Sequence, residues 1–152
     1  MKEIPIQEPE FVKVREKYKE FVPAKYWVFG EQVPINLINV FVNSLGEVAR
    51  KKNGILIKYK VNNTKNNYPN VTLNKAGVKV NALTIHKIVA STFLERQLIE
   101  LIAKKIPHRQ IQVDHINGNT YDYTLVNLEW VTQSENMKRA LGKKDNNQTR
   151  LI

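Results

Sequence analysis

Residues 113–140 read VDHINGNTYDYTLVNLEWVTQSENMKRA, and this stretch decides the predicted fold. Apolar and polar residues alternate over residues 110–115, which predicts a short strand. The tripeptide Asn-Gly-Asn at residues 117–119 is a turn signal, because Gly and Asn tolerate positive φ. The alternation returns over residues 128–131. The stretch therefore predicts two strands that are joined by a long loop.

A helix is predicted directly after the second strand. Thr132 and Glu135 have the spacing of a capping box, in which a hydroxyl and a carboxylate satisfy free amides at a helix start. The helix should continue through Met137 and Leu141 and end near Gly142, because glycine is a usual residue just after a helix. We expect the polar tail beyond it to fray.

Three polar residues of this stretch have the chemistry of a catalytic site. Asp114 and Asn136 offer carboxylate and amide oxygens, which suit Mg²⁺ or Mn²⁺ and are poor ligands for zinc. His115 titrates near neutral pH and can take a proton from water. A hard cation and a positioned base are the minimal requirement for hydrolysing a phosphodiester. Taken singly, each residue also has a structural explanation, such as a surface histidine or an asparagine in a first helical turn.

The segments DHINGN, NLEWVT and SENMKRA, at these separations, resemble the HNH nucleases, specifically the homing endonucleases of phages and group I introns. The resemblance implies a ββα-metal fold in which His115 is the general base. It also implies that Asp114 and Asn136 ligate one divalent ion per active site, Mg²⁺ or Mn²⁺. The side chain of Asn127 would orient the His115 ring. The third letter of the motif, often His, is Asn136 here, which makes this a His-Asn-Asn variant.

The charge of the chain is unevenly distributed. The 152 residues carry a formal net charge of +10 and no cysteine, which excludes disulfides and a cysteine-based zinc site. Residues 50–109 contain thirteen Lys or Arg against two Glu, a balance of +11, whereas five basic and five acidic residues cancel from Asp114 onward. This division suits a segment that grips a polyanion next to a separate reactive centre. A merely soluble basic surface would have the same charge.

No stretch suggests export or membrane insertion. The N-terminus, MKEIPIQEPE, lacks the apolar region of a signal peptide, and the longest apolar runs are far shorter than the roughly 18–20 residues of a membrane span. We expect a cytoplasmic protein, and the resemblance implies that it is phage- or intron-encoded and acts in a bacterial host. The oligomeric state, monomer or homodimer, stays open.

The chain before the motif predicts a DNA-binding region. Residues 8–21 have an amphipathic helical pattern, and the run YWVF at residues 26–29 predicts a core contact. Residues 54–82 alternate as two or three strands with Lys, Asn and Thr outward. This pattern indicates either a β-ribbon that enters the major groove or an ordinary half-exposed sheet. The basic residues expected to contact double-stranded DNA are Arg50, Lys51, Lys52, Lys58, Lys60, Lys75, Lys79 and Arg109.

A single helix is predicted over residues 84–105, where apolar residues recur at helical spacing. Its piece LTIHKIVASTF resembles the helix that precedes the motif in the HNH nucleases. His86 lies among apolar neighbours on this helix, far in sequence from Asp114. We therefore interpret His86 as a partly buried packing histidine rather than as a ligand.

Together the patterns predict an α+β protein in two regions. Residues 1–82 form an N-terminal β-ribbon DNA-binding region with helices, and residues 83–152 form an HNH nuclease region with its preceding helix. The expected function is site-specific cleavage of DNA on one strand or both. Two alternatives stay open. One is a catalytically silent DNA-binding or regulatory protein on the same fold, and the other is an RNA-binding or structural phage protein, since phosphate contacts alone do not separate DNA from RNA.

Overall fold

The computed structural model describes residues 20–63, 68–73 and 82–151, with side chains through residue 142. The predicted DNA contacts Lys75 and Lys79 lie outside the described residues, as does the predicted helix at residues 8–21 except for its last two positions. Within the described residues, no helix is long and apolar enough to cross a membrane.

The described part of the chain contains eight strands and three helices. The strands are β1 (Val22–Tyr26), β2 (Ile35–Val42), β3 (Val48–Lys52), β4 (Ile55–Lys58), β5 (Asn70–Thr72), β6 (Ala82–Thr84), β7 (Ile111–His115) and β8 (Leu128–Thr132). The helices are α1 (Ile85–Phe93), α2 (Glu95–Ala103) and α3 (Gln133–Leu151). Single turns of 3₁₀ helix lie at His108–Gln110 and Leu125–Asn127. This mixture of separate sheets and helices is the predicted α+β class.

The strands form three antiparallel sheets. One sheet has four strands in the order β1-β2-β3-β4, and the others are the pairs β5-β6 and β7-β8. One hydrophobic cluster contains Val40 of β2, Ile88 of α1 and Leu128 of β8, so the sheets share a core. The predicted boundary between residues 82 and 83 falls inside β6, and the division into two regions remains a prediction.

The single helix predicted over residues 84–105 is wrong, because the chain forms α1 and α2 with a break at Leu94 (φ −114°, ψ 31°). The break lets the two helices bury their apolar faces in different places. Ile88 of α1 lies in the shared cluster, whereas Leu98 of α2 lies in a second cluster that contains Trp27. Periodicity alone does not reveal such a change of direction, since each helix keeps its own apolar spacing.

The aromatic run at residues 26–29 is only partly in the core. Trp27 is buried and contacts Trp130 edge-on, with ring centroids 5.7 Å apart. Phe29 is 66% exposed and has its ring against His108 at 6.0 Å, so the predicted core contact is wrong for Phe29. Phe29 follows the end of β1, where the chain leaves the sheet.

Helix α3 extends beyond its predicted end. It continues to Leu151, so the prediction of a stop near Gly142 is wrong, while fraying of the tail stays a prediction. Gly142 lies inside the helix and lacks the positive φ of a helix-ending glycine. A glycine in a helix interior costs only about 1 kcal/mol relative to alanine, which good helix formers nearby can offset.

The strands predicted over residues 54–82 belong to two different sheets. β4 pairs with β3 at the edge of the four-stranded sheet, while β5 pairs with β6. The β3–β4 hairpin, residues 48–58, is called the ribbon below. Asn53 and Gly54 form its turn with φ of 53° and 77°, as a two-residue hairpin turn requires. All four residues of β4 are exposed, so the alternation that predicted an inner face does not correspond to burial.

Candidate active site

The β7–β8 hairpin positions the predicted catalytic pair. Asp114 and His115 are the last two residues of β7, where they pair with Glu129 and Leu128 of β8. Adjacent strand residues point to opposite faces, yet Asp114 and His115 are only 7% and 6% exposed. Both faces of the hairpin are therefore covered by the rest of the protein, and this packing restricts the side chains of Asp114 and His115.

Asn127 closes the twelve-residue loop between β7 and β8. Its Oδ1 accepts a hydrogen bond from the backbone N–H of Asn117 (2.9 Å), and its Nδ2 donates to the carbonyl of Asp122 (2.9 Å). Its own carbonyl accepts from the N–H of Ile116 at 2.8 Å. The resemblance implied a contact from the Asn127 side chain to the His115 ring, whereas these bonds go to the backbone that follows His115. Asn127 thus fixes the backbone directly after His115.

The same loop docks on the four-stranded sheet. The ring of Tyr123 lies against Gly46, in the turn between β2 and β3, where a Cβ atom would meet the ring at 2.2 Å. Gly46 also has a φ of 86°, which glycine adopts without strain. The N–H of Leu125 donates to the carbonyl of Ser44 at 2.8 Å. The turn of the N-terminal sheet therefore supports the loop that surrounds the catalytic pair.

Helix α3 begins with the predicted capping box. The N–H of Glu135 donates to Oγ1 of Thr132 (3.2 Å), and the Glu135 carboxylate accepts from the N–H of Thr132 (3.3 Å). Asn136 follows in the first turn, and its Nδ2 donates to Oε1 of Gln112 on β7 (3.1 Å). Because the amide nitrogen is bound, Oδ1 is the atom that Asn136 can offer to a cation.

Arg139 joins the site from α3, although it was not among the residues predicted from the sequence. Its Nη1 donates to Oε2 of Glu129 and to Oδ2 of Asp114, both at 2.9 Å, and these bonds raise the pKa of the guanidinium. Asp114 and Glu129 are cross-strand partners, so the cation lies between two neighbouring carboxylates. Arg139 is three residues after Asn136 and hence on the same helix face. This spacing is the sequence feature from which Arg139 could have been predicted as a site residue.

Three aromatic rings meet at His115, the predicted base. The His86 ring packs edge-on against the His115 ring, with centroids 4.8 Å apart and an interplanar angle of 64°. The Tyr68 ring is stacked parallel to His115 at 5.8 Å and contacts His86 at 4.8 Å. These three side chains are called the ring cluster below. His86 is a packing histidine as predicted, but its distance from Asp114 in sequence concealed that it packs on His115.

Burial determines the protonation of both histidines. Burial, followed by smaller effects of the charges on His115 and Lys87, lowers the pKa of His86 to about 3. Burial also lowers the pKa of His115, against the opposing effect of the carboxylates of Asp114 and Asp122. Both imidazoles are therefore neutral at pH 7. Nδ1 of His86 and Nε2 of His115 are buried and have no hydrogen-bond partner among the described residues.

The donors around Asp114 fit a hard divalent cation. A carboxylate from Asp114 and an amide oxygen from Asn136 are ligands of the kind that Mg²⁺ and Mn²⁺ prefer. The guanidinium of Arg139 lies on the same Asp114 carboxylate, so a divalent ion there would share this ligand with a second cation. No cluster of three His, Cys, Asp or Glu side chains that could hold a metal occurs in the described ranges. Asp114 and Asn136 therefore offer oxygen ligands, and not the nitrogen and sulfur ligands that zinc prefers.

Six of the eight predicted DNA contacts are described. Lys51, Lys52, Lys58, Lys60 and Arg109 are exposed, and Arg50 is half-buried. Cross-strand pairing places Arg50 and Lys52 on one face of the ribbon, and Lys51 and Lys58 on the other. Arg109 lies apart from the ribbon, in the 3₁₀ turn before β7. The structure therefore places four of these residues on the ribbon, Lys60 two residues beyond it, and Arg109 beside the β7–β8 hairpin.

Comparison with known proteins relates this site to one family. The model of the HNH endonuclease family matches residues 104–138, which contain Asp114, His115, Asn127 and Asn136. The chain carries an HNH endonuclease motif. The chain is 30% identical over 102 residues to DNA endonuclease I-HmuI of Bacillus phage SP01. It is 38% identical over 80 residues to the uncharacterized HNH endonuclease L247 of Acanthamoeba polyphaga mimivirus.

The similarity extends to structure but not to the full length of the relatives. A solved structure of the HNH homing endonuclease I-HmuI matches 70% of this chain and 53% of its own, with a TM-score of 0.51 and 27% identity. In sequence, the matches cover 67% of this chain and 51% of I-HmuI, and 53% of this chain and 17% of L247. The chain thus spans about half the length of I-HmuI. The predicted resemblance to HNH homing endonucleases and the predicted α+β class are confirmed.

Proposed function

We propose that the chain is a DNA endonuclease that hydrolyses phosphodiester bonds with one divalent metal ion and a histidine base. The observation that carries this proposal is the contact of α3 with β7. Asn136 bonds to the residue two before Asp114, and Arg139 bonds to Asp114 itself, next to His115. The HNH relatives, two of them named as endonucleases, support the reaction class. Site-specific, homing-type cleavage, by nicking or double-strand cutting, is proposed by similarity to I-HmuI.

His115 is the proposed general base. Its ring is neutral at pH 7, so one nitrogen has a free electron pair that can take a proton from water. Nε2 is buried, and Nδ1 is therefore the nitrogen that we assign to this step. Asn127 is proposed to position the base, because its hydrogen bonds hold the backbone of Ile116 and Asn117 directly after it.

Asp114 and Asn136 are the proposed ligands of the ion, Mg²⁺ or Mn²⁺, one per active site. Such an ion would supply a Lewis acid that stabilises negative charge on the phosphate and on the departing oxygen. Arg139 brings a permanent positive charge to the same place. Its bonds to Asp114 and Glu129 hold the Asp114 carboxylate in one orientation.

Double-stranded DNA is the proposed substrate, and the ribbon is its proposed contact. Lys and Arg on both faces of the ribbon can bind phosphates, and the exposed side chains of Ile55 and Ile57 can contact apolar base edges such as the thymine methyl group. Arg109, and from the sequence Lys75 and Lys79, are proposed as further phosphate contacts. The proposed setting is a phage- or intron-encoded protein in the cytoplasm of a bacterial host.

A catalytically silent DNA-binding protein on the same fold is the second candidate. The ion pair between Arg139 and Asp114 favours it, because a carboxylate that is already neutralised attracts a metal ion less strongly. The two candidates bind DNA alike and differ in whether a divalent ion brings about cleavage.

Cleavage of supercoiled plasmid DNA in Mg²⁺ or Mn²⁺ tests the proposal, with a library of genomic fragments cloned in the plasmid so that the target is included. We expect open-circular or linear product that disappears with EDTA. The variant His115→Ala should lose about 10²–10⁴-fold in rate, as expected for removal of a general base, and should bind DNA as the parent does. A His115→Ala protein that cuts like the parent would show that the base is wrongly assigned. An intact library together with tight, salt-sensitive binding would establish the silent protein.

A further inference from the structure

His86 has a chemical feature that simple packing does not require. A phenylalanine would fill the same place against His115 and Tyr68 with a similar ring. Instead, the position has an imidazole whose Nδ1 is buried and unpaired among the described residues. Buried polar atoms without partners are rare and costly, by about 1–3 kcal/mol each, so this nitrogen calls for a physical explanation.

The complementary atom belongs to the neighbouring ring. Nε2 of His115 is likewise buried and unpaired, and the two rings are in edge-on contact at 4.8 Å. A neutral imidazole has one N–H donor and one acceptor nitrogen. The two atoms do not form a hydrogen bond with each other in this structure. If Nε2 of His115 carries the proton and Nδ1 of His86 does not, however, they are a donor and an acceptor on touching rings, and a small rotation of either ring would pair them. Catalytic hydrogen bonds are often long in the free enzyme and shorten when the substrate binds.

We propose that His86 is a positioning residue, whose Nδ1 accepts a hydrogen bond from Nε2–H of His115 and so selects the tautomer in which Nδ1 of His115 is free to take a proton. This inference rests on the proposed role of His115 as the base. The other ring nitrogen often sets the tautomer of a functional histidine through its partner. Tyr68 assists by stacking on His115, which limits rotation of the ring.

Three substitutions of His86 separate this role from packing. His86→Phe keeps a ring and removes both nitrogens. His86→Asn places an amide group near the position of Nδ1, and His86→Gln places it near that of Nε2. We expect kcat to fall about 10- to 100-fold in His86→Phe, as when an outer partner of a functional histidine is lost, while the Kd for DNA is unchanged. His86→Asn should recover most of kcat and His86→Gln little of it.

The tautomer itself gives a readout that does not depend on cleavage. The chain has three histidines, so long-range ¹H–¹⁵N spectra of histidine-labelled protein can be assigned with one variant for each. His115 should be protonated on Nε2 in the parent and in His86→Asn, and should shift towards the Nδ1–H tautomer in His86→Phe and His86→Gln. His108→Phe is the matched control, because His108 also packs on aromatic rings, those of Trp27 and Phe29, away from the ring cluster.

The outcomes are decisive in either direction. The role of His86 is overturned if the His115 tautomer is the same in the parent and in His86→Phe, or if Asn and Gln have equal effects on kcat. If His86→Phe does not fold, kcat and the His115 tautomer are compared between His86→Asn and His86→Gln only. If the parent cleaves no DNA, the proposed function fails, while the tautomer comparison still tests His86.

Discussion

The ribbon and the β7–β8 hairpin are both antiparallel strand pairs, with four and five cross-strand residue pairs, but they differ in burial and in connection. Two residues join the strands of the ribbon, whereas twelve join β7 to β8. All of β4 is exposed, while three of the five residues of β8 are buried. The ribbon can therefore meet a partner along its length, and the β7–β8 hairpin can hold polar side chains inside the protein.

The two hairpins also differ in what stabilises them. The ribbon turn is set locally, by positive φ at Asn53 and Gly54. The long loop of the β7–β8 hairpin costs more entropy to close. The bonds of Asn127 and the contact of Tyr123 with Gly46 offset that cost. The geometry around Asp114 and His115 thus depends on contacts between segments that are distant in sequence, and the ribbon depends mainly on its own sequence.

The largest effect is expected where the N-terminal sheet supports the catalytic loop. Gly46→Ala should lower the free energy of unfolding by about 2–4 kcal/mol, because it adds left-handed backbone strain to a steric clash with the Tyr123 ring. Gly54→Ala in the ribbon is the matched control. Gly54 also has positive φ, but nothing lies within 4 Å of a Cβ there, so strain alone should cost about 1 kcal/mol.

Chemical denaturation of both variants, with cleavage assayed on the folded protein, measures this difference. Gly46→Ala should also reduce cleavage, because the loop between β7 and β8 that contacts Gly46 contains Asp122 and Asn127. Gly54→Ala should leave cleavage unchanged. Equal destabilisation by the two substitutions would mean that the contact with Tyr123 contributes nothing, and that the catalytic hairpin is as independent as the ribbon.

Local sequence signals predicted the two strands of the β7–β8 hairpin and the start of α3, and the reason is physical. The alternation of β7 and β8 and the capping box of Thr132 and Glu135 depend on residues within a few positions of each other. The same locality explains the wrong end of α3, because glycine is a usual stop signal that the rest of a helix can override. Local patterns therefore predicted where Asp114 and His115 lie on the chain.

The partners of the catalytic pair could not be predicted in the same way. Arg139 reaches Asp114 across 25 residues, and His86 reaches His115 only because α1 packs against the β7–β8 hairpin. Neither contact follows from spacing, since both require the register of the strands and the direction of the helices. The break at Leu94, which the single predicted helix omitted, is part of that geometry. The sequence alone therefore indicates the candidate site residues and not the residues that contact them.

A second prediction concerns the ribbon and its two faces. Replacing Arg50 and Lys52 together by Gln should reduce the slope of log K against log salt by about 1.8 and weaken DNA binding roughly tenfold, if each contacts one phosphate. At saturating DNA, kcat should be that of the parent, because the ribbon is separate from the β7–β8 hairpin. Fluorescence anisotropy across a salt series measures the slope.

Two further variants complete the ribbon experiment. The pair Lys51→Gln and Lys58→Gln changes the opposite face, and the face with the larger loss of slope is the one that meets DNA. Arg96→Gln on α2, an exposed residue outside the predicted contacts, controls for the change in overall charge. If both ribbon pairs behave like Arg96→Gln, the ribbon does not bind the phosphates.

The last prediction is a dependence of stability on pH that belongs to the ring cluster and not to the ribbon. The pKa of His86 is about 3 in the folded protein, against about 6.5 when unfolded, so the unfolded state binds more protons between these values. Stability should thus be complete above pH 6.5 and fall towards pH 3 with a contribution of at most about 1.4 kcal/mol per pH unit. Urea titrations from pH 7 to 4 should show a shallower decline in His86→Phe than in the parent, and an unchanged decline in the Arg50 and Lys52 double variant. Parallel curves for His86→Phe and the parent would show that burial of His86 does not disfavour its charged form.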